Sequence, residues 1–213
     1  MSFFLTDAGY RAPGLAALPG IEHSFGTRHA GPAGALRTLK QVHSSLVIDV
    51  SGCSETTEGD ALVSAEPGVW LAVKTADCVP VLIVSADGRA VAAVHAGWRG
   101  TAAGIVTHTV DALTRRFGVR SEDLHAAIGP SIGPCCYEVG EEVAARFASG
   151  LLTGRHLDLW TANQRALQAA GVPSGQIELA GLCTFCLAGE FYSWRREGSR
   201  CGRMYSAVRL APR

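Results

Sequence analysis

Residues 69–118 read VWLAVKTADCVPVLIVSADGRAVAAVHAGWRGTAAGIVTHTVDALTRRFG, and this stretch decides the fold. VWLAVKT (69–75), VPVLIVS (79–85) and AVAAVHA (90–96) are short β-branched or apolar runs separated by Asp, Pro and Gly signals, the pattern of consecutive strands. VPVLIV and AVAAV are apolar at odd and even positions alike, so both faces of these strands should be buried. From Thr101 to Phe117 the period changes. Ile105, Val106, Val110, Leu113 and Phe117 fall on one stripe and Gly118 closes it, which predicts one amphipathic helix with a C′ glycine.

Outward from this stretch, SLVIDV (45–50) and LHAAIG (124–129) read as further strands, and PSIGPCCYE as a turn-rich connection into a helix carrying Glu141, Glu142, Val143 and Phe147. Asp158 is the expected N-cap of LWTANQRALQAA, which sets Leu159, Ala166, Leu167 and Ala170 on one side and closes at Gly171 before Pro173. Asn163 interrupts that stripe and reads as a buried polar contact. QIELAG, FYSWRR and MYSAVRL complete the strands. Strands gathered early and helices interleaved later predict an α+β fold: layered mixed β-sheets flanked by helices, in a single domain spanning 1–213.

Composition bounds the partners. The 213 residues are 47% hydrophobic and 18% charged, which excludes a disordered, collagen-like or coiled-coil chain. Nineteen Lys+Arg balance 19 Asp+Glu, so no long-range field attracts phosphate backbones or anionic lipid, and neither nucleic acid nor a membrane is an expected partner. The N-terminal stretch lacks a basic region followed by a signal-length apolar run, and no run approaches the roughly 18 apolar residues of a span, so a cytoplasmic location is expected. Seven cysteines without an export signal point to free thiols or metal ligands rather than a disulfide framework.

Three segments place reactive side chains at strand ends: KQVH (40–43), KTADC (74–78) and AVHAGWRG (93–100). His43, Cys78 and His95 would form a two-nitrogen, one-sulfur set, and three protein ligands leave a fourth zinc position open, as catalysis requires. Their separations of 35 and 17 residues suit a site assembled by the fold, yet spacing alone is weak evidence and favours satisfied core residues over ligands. A second chemical reading makes Cys78 a nucleophile with His95 as its base. Asp77, beside Cys78, is a candidate general acid or base, or the carboxylate that orients a histidine; by itself it also fits a strand-end turn acid.

HSFGTRHAG (23–31), LKQVHSS (39–45), GDALVS (59–64), LAVKTADCVPVLIV (71–84), AAVHAGWRGTAAGIV (92–106), AIGPSIGPCCYEVGEEV (127–143), DLWTANQRAL (158–167) and CTFCLAGEFYSWRREGSRCGRMYSAVRL (183–210) together resemble the laccase-domain, or YfiH/YlmD, family. The match runs in order through nearly the whole chain. The resemblance implies a single-domain layered α+β fold with one Zn²⁺ site, able to take Cu²⁺, at His43, Cys78 and His95. It also implies purine nucleoside phosphorylase activity on adenosine, inosine, guanosine and methylthioadenosine, with adenosine deaminase activity. Polyphenol oxidase and peptidoglycan-editing hydrolase are further names attached to the family.

The implied reactions assign further residues. Deamination at C6 needs activated water and an acid such as Asp77 for the departing ammonia. Phosphorolysis needs guanidinium groups on phosphate, for which Arg28 and Arg99 come first, followed by Arg195 and Arg196. Trp70, Trp98, Trp160 and Trp194 read first as core residues, although Trp98 follows the histidine motif and Trp194 precedes the arginine pair, so either could stack on a base. Blue-copper oxidases use many His-x-His pairs; seven histidines without one such pair argue against laccase chemistry. A peptidoglycan-precursor amidase using the same metal, a copper-dependent polyphenol oxidase whose weak phenol oxidation reflects the metal supplied, and a metal- or partner-binding protein without turnover are the alternatives. Cys183 and Cys186 form a Cys-x-x-Cys with Cys201 nearby, and Cys135 and Cys136 are adjacent; they allow a second zinc site, but the preferred reading is reduced structural thiols.

Overall fold

The computed structural model describes residues 2–212; residues 1 and 213 of the expected domain lie outside it. In chain order the elements are β1 (Phe4–Thr6), β2 (Gly9–Arg11), α1 (Pro13–Ala16), β3 (Ile21–Phe25), β4 (Leu36–Arg37), β5 (Val47–Asp49), β6 (Ala61–Ser64), β7 (Trp70–Thr75), β8 (Val79–Ser85) and β9 (Val91–Ala96). They continue with α2 (Trp98–Ala102), α3 (Ile105–Phe117), β10 (Leu124–Ile128), α4 (Glu141–Ala144), β11 (Leu152–Thr153), β12 (His156–Leu157), α5 (Leu159–Ala169), β13 (Ile177–Leu179), α6 (Trp194–Glu197) and β14 (Met204–Leu210).

Two six-stranded sheets dominate, ordered β1-β2-β3-β14-β7-β4 and β13-β10-β8-β9-β6-β5. Both are mixed: β4 with β7, β5 with β6 and β10 with β13 run parallel, and the other pairs antiparallel. The alternation of β8 explains the layering. Leu82 and Val84 join Leu71, Val73, Phe25 and Val208 in a core between the sheets, while Val81 and Ile83 face Ile105, Val110, Leu113 and Leu167 of α3 and α5. Each of these strand residues is buried, worth roughly 1.5–3 kcal/mol per large aliphatic side chain. The result is a sheet–sheet–helix stack of the expected α+β class.

The main departures from the sequence expectations lie in short or broken elements. The helix expected from Thr101 to Phe117 is two helices, because Gly104 takes φ +78° and ends α2 before α3 begins. The stripe and the terminal Gly118, at φ +64°, are as expected. FYSWRR is not a strand. Ser193 caps α6 by accepting from the Arg196 N–H, and the Arg196 guanidinium donates to the carbonyls of Thr184, Phe185 and Phe191, fixing a compact loop. The helix expected to reach Phe147 stops at Ala144. Strands β3 and β6 escape the periodicity reading, because IEHSF carries Glu22 and His23 into a buried strand and ALVS is only four residues long. Asp158 caps α5 through the Thr161 N–H, and Asn163 is buried with its amide on the Leu159 carbonyl.

Candidate functional site

The cleft forms where β7 turns into β8 and β9 runs into α2. That β7–β8 turn carries Asp77 and Cys78; Asp77 sits at φ +87°, a conformation that costs a non-glycine residue roughly 1–3 kcal/mol and persists only when its surroundings over-determine it. They do. Its carboxylate accepts from Thr184 Oγ1 at 2.7 Å, Ser193 Oγ at 3.0 Å and the Arg195 N–H at 2.7 Å, and its carbonyl accepts from Ile132 N–H at 2.9 Å.

His43, Cys78 and His95 converge as the sequence suggested, with their ligand atoms all within 4.8 Å of one another. His95 lies buried at the end of β9, Cys78 is half-buried, and His43 reaches in from an exposed loop at φ +60°. The two imidazoles meet edge to face, with centroids 4.9 Å apart. Gly97 leaves the necessary room: a Cβ there would lie 3.0 Å from Cys78 Sγ and 3.2 Å from His43 Cδ2.

The group that binds these segments together is Asp60, a residue whose role the sequence does not announce. It is fully buried ahead of β6 and holds His95 Nδ1 at 2.8 Å. Its carboxylate also accepts from the backbone N–H groups of Val42, His43 and Ser44 and from Ser44 Oγ. Its own carbonyl takes the His95 N–H at 2.7 Å. The carboxylate orienting a histidine is therefore Asp60 and not Asp77. Burial alone would raise Asp60, but its His95 and Ser44 partners outweigh that and bring it to about 2. Burial likewise disfavours charge on Cys78 and His95, yet mutual attraction wins: the thiol is lowered to about 6 and the imidazole raised to about 9. With Nδ1 committed to Asp60, His95 presents Nε2 toward the thiol, the second-sphere arrangement typical of metal-ligating histidines.

Around this trio opens a cleft of about 800 Å³, within the roughly 300–1,000 Å³ of small-molecule sites. Lys40, Lys74, Arg99, Arg195 and Arg203 line it, with Asp77. Aromatic faces complete the wall: Trp98 under the Arg99 guanidinium, Tyr137 near Arg195 and the half-exposed Trp194 near Arg203. Of the arginines expected from sequence, Arg99 and Arg195 line the cleft. Arg28 and Arg196 do not. Arg28 donates to the Ala188 carbonyl and pairs with Glu197, lying over the Tyr192 ring. Arg196 fills the loop beneath α6. Lys40, Lys74, Tyr137 and Arg203 are additions. The sequence hint for Asp60 is faint: an acid directly before the short run ALV, whose carboxylate must find partners if the run is buried, with nothing to say which.

A family model described as "Multi-copper polyphenol oxidoreductase laccase" matches residues 23–211. The chain belongs to this laccase-domain, YfiH/YlmD family. A protein of Bacteroides thetaiotaomicron named purine nucleoside phosphorylase is 46% identical over 163 residues, 71% of this chain and 60% of that protein. The chain thus aligns with about three fifths of that relative's length. A Deinococcus radiodurans protein of the same name is 43% identical over 82% of this chain and 70% of its own. One family member from an unknown prokaryotic organism, 37% identical over 76% of this chain and 66% of its own, is named an adenosine deaminase. Among solved structures, YlmD from Geobacillus stearothermophilus superposes with a TM-score of 0.85 at 28% identity, covering 99% of both chains. Among the described residues, no helix is long and apolar enough to cross a membrane.

Proposed function

We propose that this family member is a metal-dependent purine nucleoside phosphorylase, acting on adenosine, inosine, guanosine and methylthioadenosine, that also deaminates adenosine. The observation that carries the reading is the joining, in one cleft, of a two-imidazole, one-thiolate set with a ring of cations and aromatic faces. The donor set fits Zn²⁺ held by His43, Cys78 and His95 with one position open, and fits Cu²⁺ as well. When bound, the ion supplies Lewis acidity at the floor of the cleft.

The chain's own residues do the rest. Arg99 and Arg195, supported by Lys74 and Arg203, hold phosphate, where forked guanidinium groups match its oxygens. Trp98, Tyr137 and Trp194 offer faces on which a purine stacks. Asp77 holds the Arg195 backbone in place and, as the carboxylate of the cleft, is assigned proton transfer at the leaving group in both reactions. Arg28 and Arg196 act from outside, bracing the 184–197 loop that carries Trp194 and Arg195.

Product analysis of the zinc-quantified protein with adenosine and inosine, with and without phosphate, tests this. Expected are phosphate-dependent free base from both nucleosides and inosine from adenosine. His95→Ala should abolish both reactions, and Asp77→Asn should lower kcat and, by loosening the Arg195 backbone, also raise the phosphate KM. Undiminished turnover by metal-free His95→Ala protein would overturn the reading. Amino-acid release from a nucleotide-linked muropeptide, with no response to nucleosides, would replace it with the cell-wall amidase.

A further inference from the structure

Cys135, Cys136, Cys183 and Cys186 lie outside the cleft and take no part in the chemistry above. Their sulfurs all fall within 4.8 Å of one another. Cys136 Sγ is 3.3 Å and Cys135 Sγ 3.7 Å from Cys186 Sγ. A zinc tetrathiolate with bonds of about 2.3 Å has sulfur–sulfur edges of about 3.8 Å, so these separations are those of ligands around one ion. Thiols that merely pack behave as small apolar groups and are buried. Here Cys135 and Cys186 are exposed and only Cys183 is buried, so core packing does not account for the convergence.

The backbone supports the same conclusion. Residues 131 and 183 form an isolated parallel bridge, with Ser131 N–H on the Leu182 carbonyl and Thr184 N–H on the Ser131 carbonyl. This pairing sets the Cys-Cys turn directly against the Cys-Thr-Phe-Cys turn. Gly133 N–H donates to Cys183 Sγ at 3.3 Å, and the Leu187 N–H closes the second turn on the Cys183 carbonyl. A donor aimed at a sulfur is how proteins steady a ligating thiolate.

We propose that Cys135, Cys136, Cys183 and Cys186 form a second metal site, a tetrathiolate that takes Zn²⁺ and cross-links the loop of Tyr137 to the loop of Thr184. Both loops build the cleft wall: Ile132 and Tyr137 line it, and Thr184 bonds Asp77. The ion here is structural, since four protein ligands leave no open position. Binding releases the thiol protons to solvent and requires no oxidant.

The test is metal stoichiometry and cobalt spectroscopy on the full chain, prepared anaerobically, stripped with chelator and reloaded with Co²⁺ alone. The wild type should take two equivalents, and His95→Ala and the double variant Cys135→Ser, Cys186→Ser one each. The intense thiolate-to-cobalt bands of a four-sulfur tetrahedral site should persist in His95→Ala and vanish in the double variant. If the double variant fails to fold, cadmium-113 resonance of the wild type decides, with a signal in the four-sulfur region expected beside a second from the cleft. One equivalent in the wild type with none in His95→Ala would overturn the proposal. So would a Cys136–Cys186 disulfide found quantitatively in the anaerobic protein.

Discussion

Asp60 shows what one carboxylate does when burial leaves it no solvent. Its two oxygens serve donors from the His43 loop and from His95, so both imidazoles are positioned by the same group. Asp60→Asn keeps the shape but puts an amide N–H₂ against N–H donors, leaving at least one buried donor unpaired. Metal affinity of the cleft should fall about 10–100-fold, read by competition with a chromophoric chelator. His23 is a different buried group. Its Nε2 accepts from the Ala12 N–H and its Nδ1 has no partner among the described residues; burial foremost, with Arg11 adding to it, lowers it to about 3. The unfolded chain therefore takes up a proton near pH 6.5 that the folded chain refuses until about pH 3. Stability from this group is whole above 6.5 and is lost as the pH falls, by about 1.4 kcal/mol per unit. Urea titrations at stepped pH should show that slope flattened in His23→Gln, which keeps an acceptor for Ala12. That His43, Cys78 and His95 meet was expected less from their chemistry, since a chain with seven cysteines and seven histidines offers many such sets, than from the family motifs that carry them. Asp60 and His23 were not legible in the sequence, because their partners lie 11 to 35 positions away and only the fold supplies them.

At the scale of elements, two glycines that look alike in sequence act for different reasons. Gly97 caps α2 with ordinary extended backbone, but its missing side chain makes room for Cys78 and His43. At Gly104 a Cβ would meet only His108 Nε2, at an ordinary 3.8 Å, so the glycine is needed for its left-handed backbone between α2 and α3. Gly97→Ala should thus weaken metal binding with little loss of stability. Gly104→Ala should cost about 1 kcal/mol or somewhat more and leave metal content alone. Paired thermal melts and metal titrations separate them; the reverse pattern would refute this division. The uninterrupted apolar runs of β8 and β9 were readable because burial on both faces leaves no polar position. The α2–α3 break was not, because an isolated glycine such as Gly104 is tolerated inside a helical pattern and nothing in its neighbours announces its left-handed backbone; neither was α6, where Trp194 and the preceding Phe191 and Tyr192 mimic strand composition while a serine cap and arginine bonds to carbonyls set the backbone.

For the molecule as a whole, neutrality hides local charge. The chain sums to zero, yet Lys40, Lys74, Arg99, Arg195 and Arg203 share one cleft. Composition gave no reason to expect a long-range field, and it could not show that these cations, scattered from residue 40 to 203, would meet. Because the cleft is open, salt should screen it: the phosphate KM should rise between low and physiological ionic strength while the nucleoside KM changes little, as steady-state kinetics at stepped salt would show.

Strand β14 lies between β3 and β7, pairing with both, although it follows every other described element in the chain. During synthesis, β5 to β13 can assemble the second sheet and its helices while β3 and β7 still wait with open ladders. Until residues 204–210 emerge, those two edges can recruit strands from other chains. Such half-made molecules are natural clients for chaperones and for proteases that sense exposed edges, so the late arrival of one strand sets the window in which the chain is vulnerable to aggregation.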